Sequence, residues 1–227
     1  LHNTPIKGAI SLAPNPIFEE QWGEKFALPL VCINSSGDQS NKTYSVSSDE
    51  VHGISIAMNY LLEQGHKNIA FITYGIISNY NNIHRRDAFI QFSKNNALNG
   101  NTHYVHINSN DNFIEIIAKV LKKNVTAIIS SGEDVGIYTA YVLDLLGKKI
   151  PDDLSFISYE YIDVSCYFSP PHTTLEQDFQ SLSKLSMDLC ENLSDGNMSN
   201  VGNKIVPYKF NIRDSVSRVG IPKIQTR

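Results

Sequence analysis

The chain has 227 residues, of which 41% are hydrophobic and 19% charged, with a net charge of −4. That length supports one sizeable domain or two intimate lobes, and that composition excludes wholesale disorder. The acidic balance excludes a grip on DNA through phosphate contacts by this chain alone.

Short β-branched runs alternate with longer helical patterns. Residues 6–12 read as a strand ending at Pro14, and 16–26 as a helix with Asn15 as N-cap and Pro16 in its first turn. Residues 30–33 read as a second strand. Residues 49–64 form a helical pattern with Ile54, Met58, Leu61 and Leu62 on one stripe, ended by Gly65. A strand at 69–73, a helix at 83–95 and a short strand at 104–107 follow. The helix expected at 113–122 has Asp111 as its candidate cap, and 126–130 is a buried strand. Residues 134–146 form a helix ended by Gly147, 155–159 a strand, and 179–193 a helix followed by Gly196. The stretch 205–212 is extended and interrupted by Pro207. There is no internal repeat and no low-complexity tract.

This alternation implies an α/β fold with parallel sheets flanked by helices. In such sheets ligands bind at the carboxyl ends of the strands. Those ends carry Asn34, the loop 75–82, residues 131–134 and residues 160–163, all polar or glycine-containing. They suit a polyhydroxyl ligand and would equally suit solvent-exposed loops.

Motifs for chemistry are sparse. Cys32, Cys166 and Cys190 lack zinc-ligand or redox spacing and read as reduced, mostly buried thiols. No apolar run reaches membrane-spanning length, and the first seven residues lack the pattern of a signal peptide. The three glycosylation sequons at Asn34, Asn41 and Asn124 fit chance in an asparagine-rich chain. No glycine pattern for a dinucleotide or a P-loop occurs. Ser181 and Lys184 match a Ser-x-x-Lys nucleophile pattern, but inside an amphipathic helix and without companion motifs. His103 and His106, three apart on an extended segment, point to opposite faces and make poor joint metal ligands.

Glu133, Asp134 and Glu160 follow two strands and could face one cleft. They could accept hydrogen bonds from ligand hydroxyls, act as an acid/base pair, or cap helices. Arg85 and Arg86 open a helix, where a positive charge opposes the dipole. Arg85 could fork onto a ligand, and a solvated helix face is the other reading.

Several segments together resemble the lac-repressor/galactose-repressor family of bacterial transcription regulators. They are Asp49-Glu50-Val51-His52-Gly53, Leu61-Leu62-Glu63-Gln64-Gly65-His66-Lys67-Asn68-Ile69 and Arg85-Arg86-Asp87-Ala88-Phe89. Further along come Val125-Thr126-Ala127-Ile128, Ile150-Pro151-Asp152-Asp153-Leu154-Ser155, Ser169-Pro170-Pro171-His172-Thr173-Thr174-Leu175-Glu176-Gln177 and Arg213-Asp214-Ser215. Their order and spacing cover nearly the whole chain.

The resemblance implies two Rossmann-like lobes of the type I periplasmic-binding-protein kind, joined by strand crossovers and closing on an effector. Residues 1–46 plus 177–206 would form an N-terminal lobe lacking its first strands and first helix. Residues 47–176 plus 207–220 would form the C-terminal lobe. The chain is then expected to be a piece of a longer protein whose helix-turn-helix domain reads operator DNA. Carried over by position, the ligand-binding residues would be Asn34, Asn81, Arg85, Glu133, Glu160 and Phe179. Gly132 and Glu133 replace the family's usual asparagine-aspartate pair. Ile137, Tyr138, Tyr141, Tyr167 and Phe168 fall where the family dimerises. The expected protein is a cytoplasmic, non-enzymatic repressor core, a homodimer sensing a sugar-like effector, with no cofactor, metal or membrane partner. A periplasmic sugar-binding protein of a transport system and a glycoside hydrolase are the alternatives.

Overall fold

The structure, a computed structural model, describes residues 6–12, 21–22, 25–26, 28–37, 42–76, 79–98, 100–160, 164–198 and 201–220. Its strands in chain order are β1 (Ala9–Ser11), β2 (Leu30–Ile33), β3 (Thr43–Ser48), β4 (Ile69–Tyr74), β5 (Thr102–Ile107), β6 (Ala127–Ser130), β7 (Ser155–Glu160), β8 (Thr173–Glu176), β9 (Lys204–Val206) and β10 (Lys209–Asn211). Its helices are α1 (Glu50–Glu63), α2 (Tyr80–Asn95), α3 (Phe113–Leu121), α4 (Glu133–Leu145) and α5 (Phe179–Ser194), with a 3-10 turn at Ser165–Tyr167. The expected helix at 16–26 lies mostly outside the described residues.

The chain divides into two compact units, one of residues 1–49 and 178–207, the other of residues 50–177 and 208–227. The smaller unit holds a four-stranded parallel sheet ordered β1-β2-β3-β9. Helix α5 covers it with Leu182 and Leu189, which pack on Val31, Tyr44, Val46 and Val206. Its N-cap is Asp178, whose carboxylate accepts from the Ser181 amide at 3.2 Å and the Ser181 hydroxyl at 2.9 Å. The Ser181 hydroxyl is therefore a capping group, which accounts for the Ser-x-x-Lys match without chemistry.

The larger unit holds a six-stranded sheet ordered β10-β8-β7-β6-β4-β5, parallel except for the edge strand β10. The period-two alternation of a strand sends its residues into two separate cores. Ile69, Phe71, Ile129, Ile157 and Tyr159 pack on one face with Ile54, Met58, Leu61 and Phe89 of α1 and α2. Ala70, Ile72, Ile128 and Phe156 pack on the other with Ile117, Val120, Val142 and Leu143 of α3 and α4. Burial on both faces explains the near-continuous apolar runs of β4 and β6.

Three sequence expectations change. Strands β3 and β8 form where no strand was read. The extended stretch 205–212 becomes two strands in two different sheets, and Pro207 is the last residue of the smaller unit before the chain passes to the larger. Helix α3 is capped by Asn112, whose side chain accepts from the Glu115 amide at 3.2 Å. Asp111 instead accepts from the Asn108 amide at 2.7 Å, closing the preceding turn.

Candidate functional site

In the larger sheet β4 lies between β5 and β6, so the chain leaves β4 toward one edge and returns to build the other. That reversal opens a crevice at the carboxyl ends of β4 and β6, where open α/β sheets bind ligands. A pocket of about 280 Å³ sits there, lined among others by Tyr74, Asn81, Asn82, Arg85, Ser131 and Asp134.

Arg85 is the centre of its polar wall. The side chain is only 2% exposed, a rare state for an arginine without partners. Its Nε donates to Glu50 Oε2 at 2.9 Å, Nη1 to Ser131 Oγ at 3.1 Å, and Nη2 to the Tyr208 hydroxyl at 2.9 Å. The guanidinium also lies 4.0 Å from the centroid of the Tyr159 ring, a cation–π contact. Three of its five N–H groups have these partners among the described residues. Burial opposes the Arg85 charge, but Glu50, Tyr208 and Tyr159 outweigh it and hold the group well above its ordinary value. Burial pushes the Glu50 carboxyl up, against the opposing pull of Arg85.

The Tyr208 hydroxyl is fully used. It donates to Glu50 Oε1 at 2.8 Å and accepts from Arg85 and, at 3.1 Å, from Gln177 Nε2. Burial raises its pKa further from neutrality. Glu50, Gln177 and Tyr208 each occupy the larger unit's side of a crossing between units, at 49/50, 177/178 and 207/208. One network thus joins Arg85 to all three crossings.

Gly53 makes this possible. A Cβ there would come within 2.7 Å of the Tyr208 ring, which is held by its hydrogen bonds and cannot swing aside. Gly53→Ala should therefore destabilise the chain by about 1–3 kcal/mol through overpacking, against a gain of up to about 1 kcal/mol in helix propensity. A urea midpoint equal to or above wild type would show that the ring moves freely.

The remaining wall is built from loop ends. Asn79 caps α2, accepting from the Asn81 amide at 3.0 Å. Asn82 Nδ2 donates to the carbonyls of Tyr74 at 3.2 Å and Ile76 at 3.1 Å, fastening the β4–α2 loop. Asn81 Oδ1 is shielded from solvent and has no hydrogen-bond partner among the described residues. Gly132 caps α4 at φ +101°, a backbone state closed to residues with a Cβ, so an asparagine would be strained there.

Of the expected ligand residues, Arg85 and Asn81 line this pocket. The Glu133 side chain lies outside the described residues. Glu160 is buried away from the lining, accepting from the Ser165 amide at 2.6 Å, with Arg213 Nη1 3.6 Å from its other oxygen. Asn34 and Phe179 belong to the smaller unit. Asn34 accepts from the Ser48 amide at 3.0 Å, and Phe179, the first residue of α5, is exposed. Glu50, Ser131, Asn82 and Tyr208 were not singled out from sequence. Asn82 and Ser131 lie in the strand-end stretches 75–82 and 131–134; for Glu50 and Tyr208 the usable signal was Gly53 inside the 49–53 motif, a glycine near the start of α1 that marks a close approach.

A family model described as a periplasmic binding protein-like domain matches residues 58–216. The chain belongs to this family. As a periplasmic binding protein-like chain it is 27% identical over 170 residues to the HTH-type transcriptional repressor PurR of Aliivibrio fischeri (strain MJ11), covering 71% of this chain and 49% of that relative. The chain spans about half the length of the curated relatives it matches. Two LacI family transcriptional regulators solved with bound ribose share the fold. The one from Enterococcus faecium has a TM-score of 0.76 at 21% identity, covering 93% of this chain and 79% of that one. The one from Enterococcus faecalis V583 has a TM-score of 0.79 at 19% identity, covering 95% and 79%. The expected type I periplasmic-binding-protein-like fold is borne out, and the resemblance to lac-repressor-type regulators is matched by these relatives.

On the opposite side of the α4 expectations, Val135 and Val142 face the core while Ile137, Tyr138 and Tyr141 are exposed. Ile137, Tyr141 and Phe168 line a groove of about 720 Å³ with Pro170 and His172. Tyr167 is 85% exposed, and Phe168 stacks on His172 at 4.7 Å. Tyr138 packs on Phe113 instead, 5.9 Å between ring centroids.

Proposed function

We propose that this chain is the ligand-sensing core of a transcription regulator, acting as a repressor, that binds a sugar-like effector in the pocket at the β4 and β6 ends. The observation that carries the reading is the buried Arg85, which lines a pocket at the sheet's reversal point and has two N–H groups without a partner among the described residues. Asn81 Oδ1 supplies an acceptor for a ligand hydroxyl. The ribose bound by two regulators of the same fold supports a sugar. Because ligand contact reaches the residues at all three crossings, occupancy would bias the units between states of different effector affinity. Control of operator DNA would run through a DNA-reading domain of the kind named in its repressor relatives, a role that suits a cytoplasmic protein.

The test is a thermal-shift panel of pentoses and hexoses, D-ribose first. A ligand at one hundred times its Kd stabilises the folded chain by about 2.7 kcal/mol. We expect at least one sugar to raise the melting temperature and Arg85→Met to abolish the rise. A full shift retained in Arg85→Met would move the site elsewhere.

The exposed aromatic and apolar residues of α4 and of 167–168 are proposed as a homodimer face, since aromatic enrichment marks interfaces. Sedimentation should give twice the chain mass, reduced to one by Tyr141→Asp. A wild-type chain that sediments as a monomer at high micromolar concentration would rule this face out.

A further inference from the structure

The Arg85 charge is already matched inside the protein. Glu50 sits 2.9 Å from it with both carboxylate oxygens hydrogen-bonded, one by Arg85 and one by Tyr208. Both side chains are almost completely buried, so the pair is screened little by solvent. Among the described residues lining the pocket Arg85 is the one cation, and Asp134 adds a further carboxylate. With Glu50 counted, the formal charge around the pocket is negative. Its unpartnered acceptor, Asn81 Oδ1, also favours ligands that donate hydrogen bonds.

We propose that Glu50 is a specificity-determining residue. By neutralising Arg85 it leaves the guanidinium as a hydrogen-bond donor without net positive potential. The pocket then takes uncharged polyhydroxyl molecules and rejects phosphorylated or otherwise anionic ones. An arginine without such a counter-ion would fork onto a phosphate or carboxylate. Here an anion entering beside the guanidinium would meet the Glu50 carboxylate, a like charge that already neutralises Arg85. The inference rests on the pocket assigned above, but not on the effector being a sugar.

Inorganic phosphate is the probe, titrated calorimetrically at constant ionic strength set by chloride. Wild type should show no saturable, Arg85-dependent phosphate binding. Glu50→Gln, which keeps one acceptor for Arg85 but removes the charge, should bind phosphate at least tenfold more tightly. Adding Arg85→Met should abolish that gain. No gain in a folded Glu50→Gln chain overturns the proposal. Wild-type phosphate binding that vanishes in Arg85→Met also overturns it, and this comparison needs no Glu50 variant should that one fail to fold. A chain that ignores every sugar yet gains phosphate on Glu50→Gln would refute the sugar reading and uphold the role of Glu50.

Discussion

Glu50→Leu should destabilise the chain by about 3–5 kcal/mol, because it strands a buried guanidinium without its counter-ion. For a chain of this size that corresponds to a fall in melting temperature of roughly 6–20 °C. The loss has two parts. Arg85 loses its charge partner at 2.9 Å, and the Tyr208 hydroxyl loses the acceptor for its proton at 2.8 Å. Arg85 cannot escape by deprotonating, since a guanidinium stays protonated in proteins. The double variant Glu50→Leu/Arg85→Met should recover most of the stability, because apolar side chains replace a buried ion pair at little cost. A double-mutant cycle should therefore return a coupling energy above about 2 kcal/mol. Loss of stability should also have an address. Hydrogen exchange should quicken around 50–53, 177 and 208, the residues on the larger unit's side of each crossing. If Glu50→Leu cost less than 1 kcal/mol, water would be reaching the guanidinium and the network would not be closed.

What sequence revealed of this arrangement follows from which forces act locally. Helix α1 was legible because Ile54, Met58 and Leu61 are all fully buried on one stripe. The strands β4, β6 and β7 were legible because both of their faces meet apolar helices. Strands β3 and β8 were not, since hydroxyl residues dominate them and read as loop. Yet every residue of β3 is buried, and Thr173 and Thr174 of β8 are fully so. Some of their hydroxyls find partners distant in sequence, as Ser47 does in the carbonyl of Ser35 and Thr173 in that of Arg213. Arg85 stood out because the sequence reading placed it at a helix start, whereas α2 begins at Tyr80 and Arg85 lies beyond its first turn. What its buried charge depends on is Glu50, 35 residues earlier, and Tyr208, 123 residues later, and no local pattern carries such a pairing. For Glu160 sequence is silent for the complementary reason. A carboxylate after a strand reads the same whatever it meets, and here one oxygen accepts from the Ser165 amide while the other has no hydrogen-bond partner among the described residues.

Acid should selectively weaken the surface around Phe168. His172 is 3% exposed, stacked on Phe168 and edge-on to Phe156 at 5.0 Å. Burial lowers its pKa from 6.5 to about 4, with Glu160 pulling upward and Arg213 downward. The native chain thus refuses a proton that the unfolded chain accepts between about pH 6.5 and pH 4. Where the unfolded state binds more protons, stability rises with pH. This contribution is complete above about pH 6.5 and is lost as pH falls toward 4, reaching roughly 3 kcal/mol at the bottom of that window. His66 acts in the same direction, its pKa lowered by burial, with Nε2 donating to the Ser217 carbonyl at 2.8 Å. The two are separable by substitution. His172→Phe keeps an aromatic ring in the stack and removes the titration, so its stability should fall less steeply than that of wild type between pH 6.5 and 4. Because the ring beneath Phe168 is the one that charges, dissociation of the proposed dimer should track the same window in wild type and not in His172→Phe. Identical pH profiles for the two chains would mean that His172 takes up its proton in the folded state without cost.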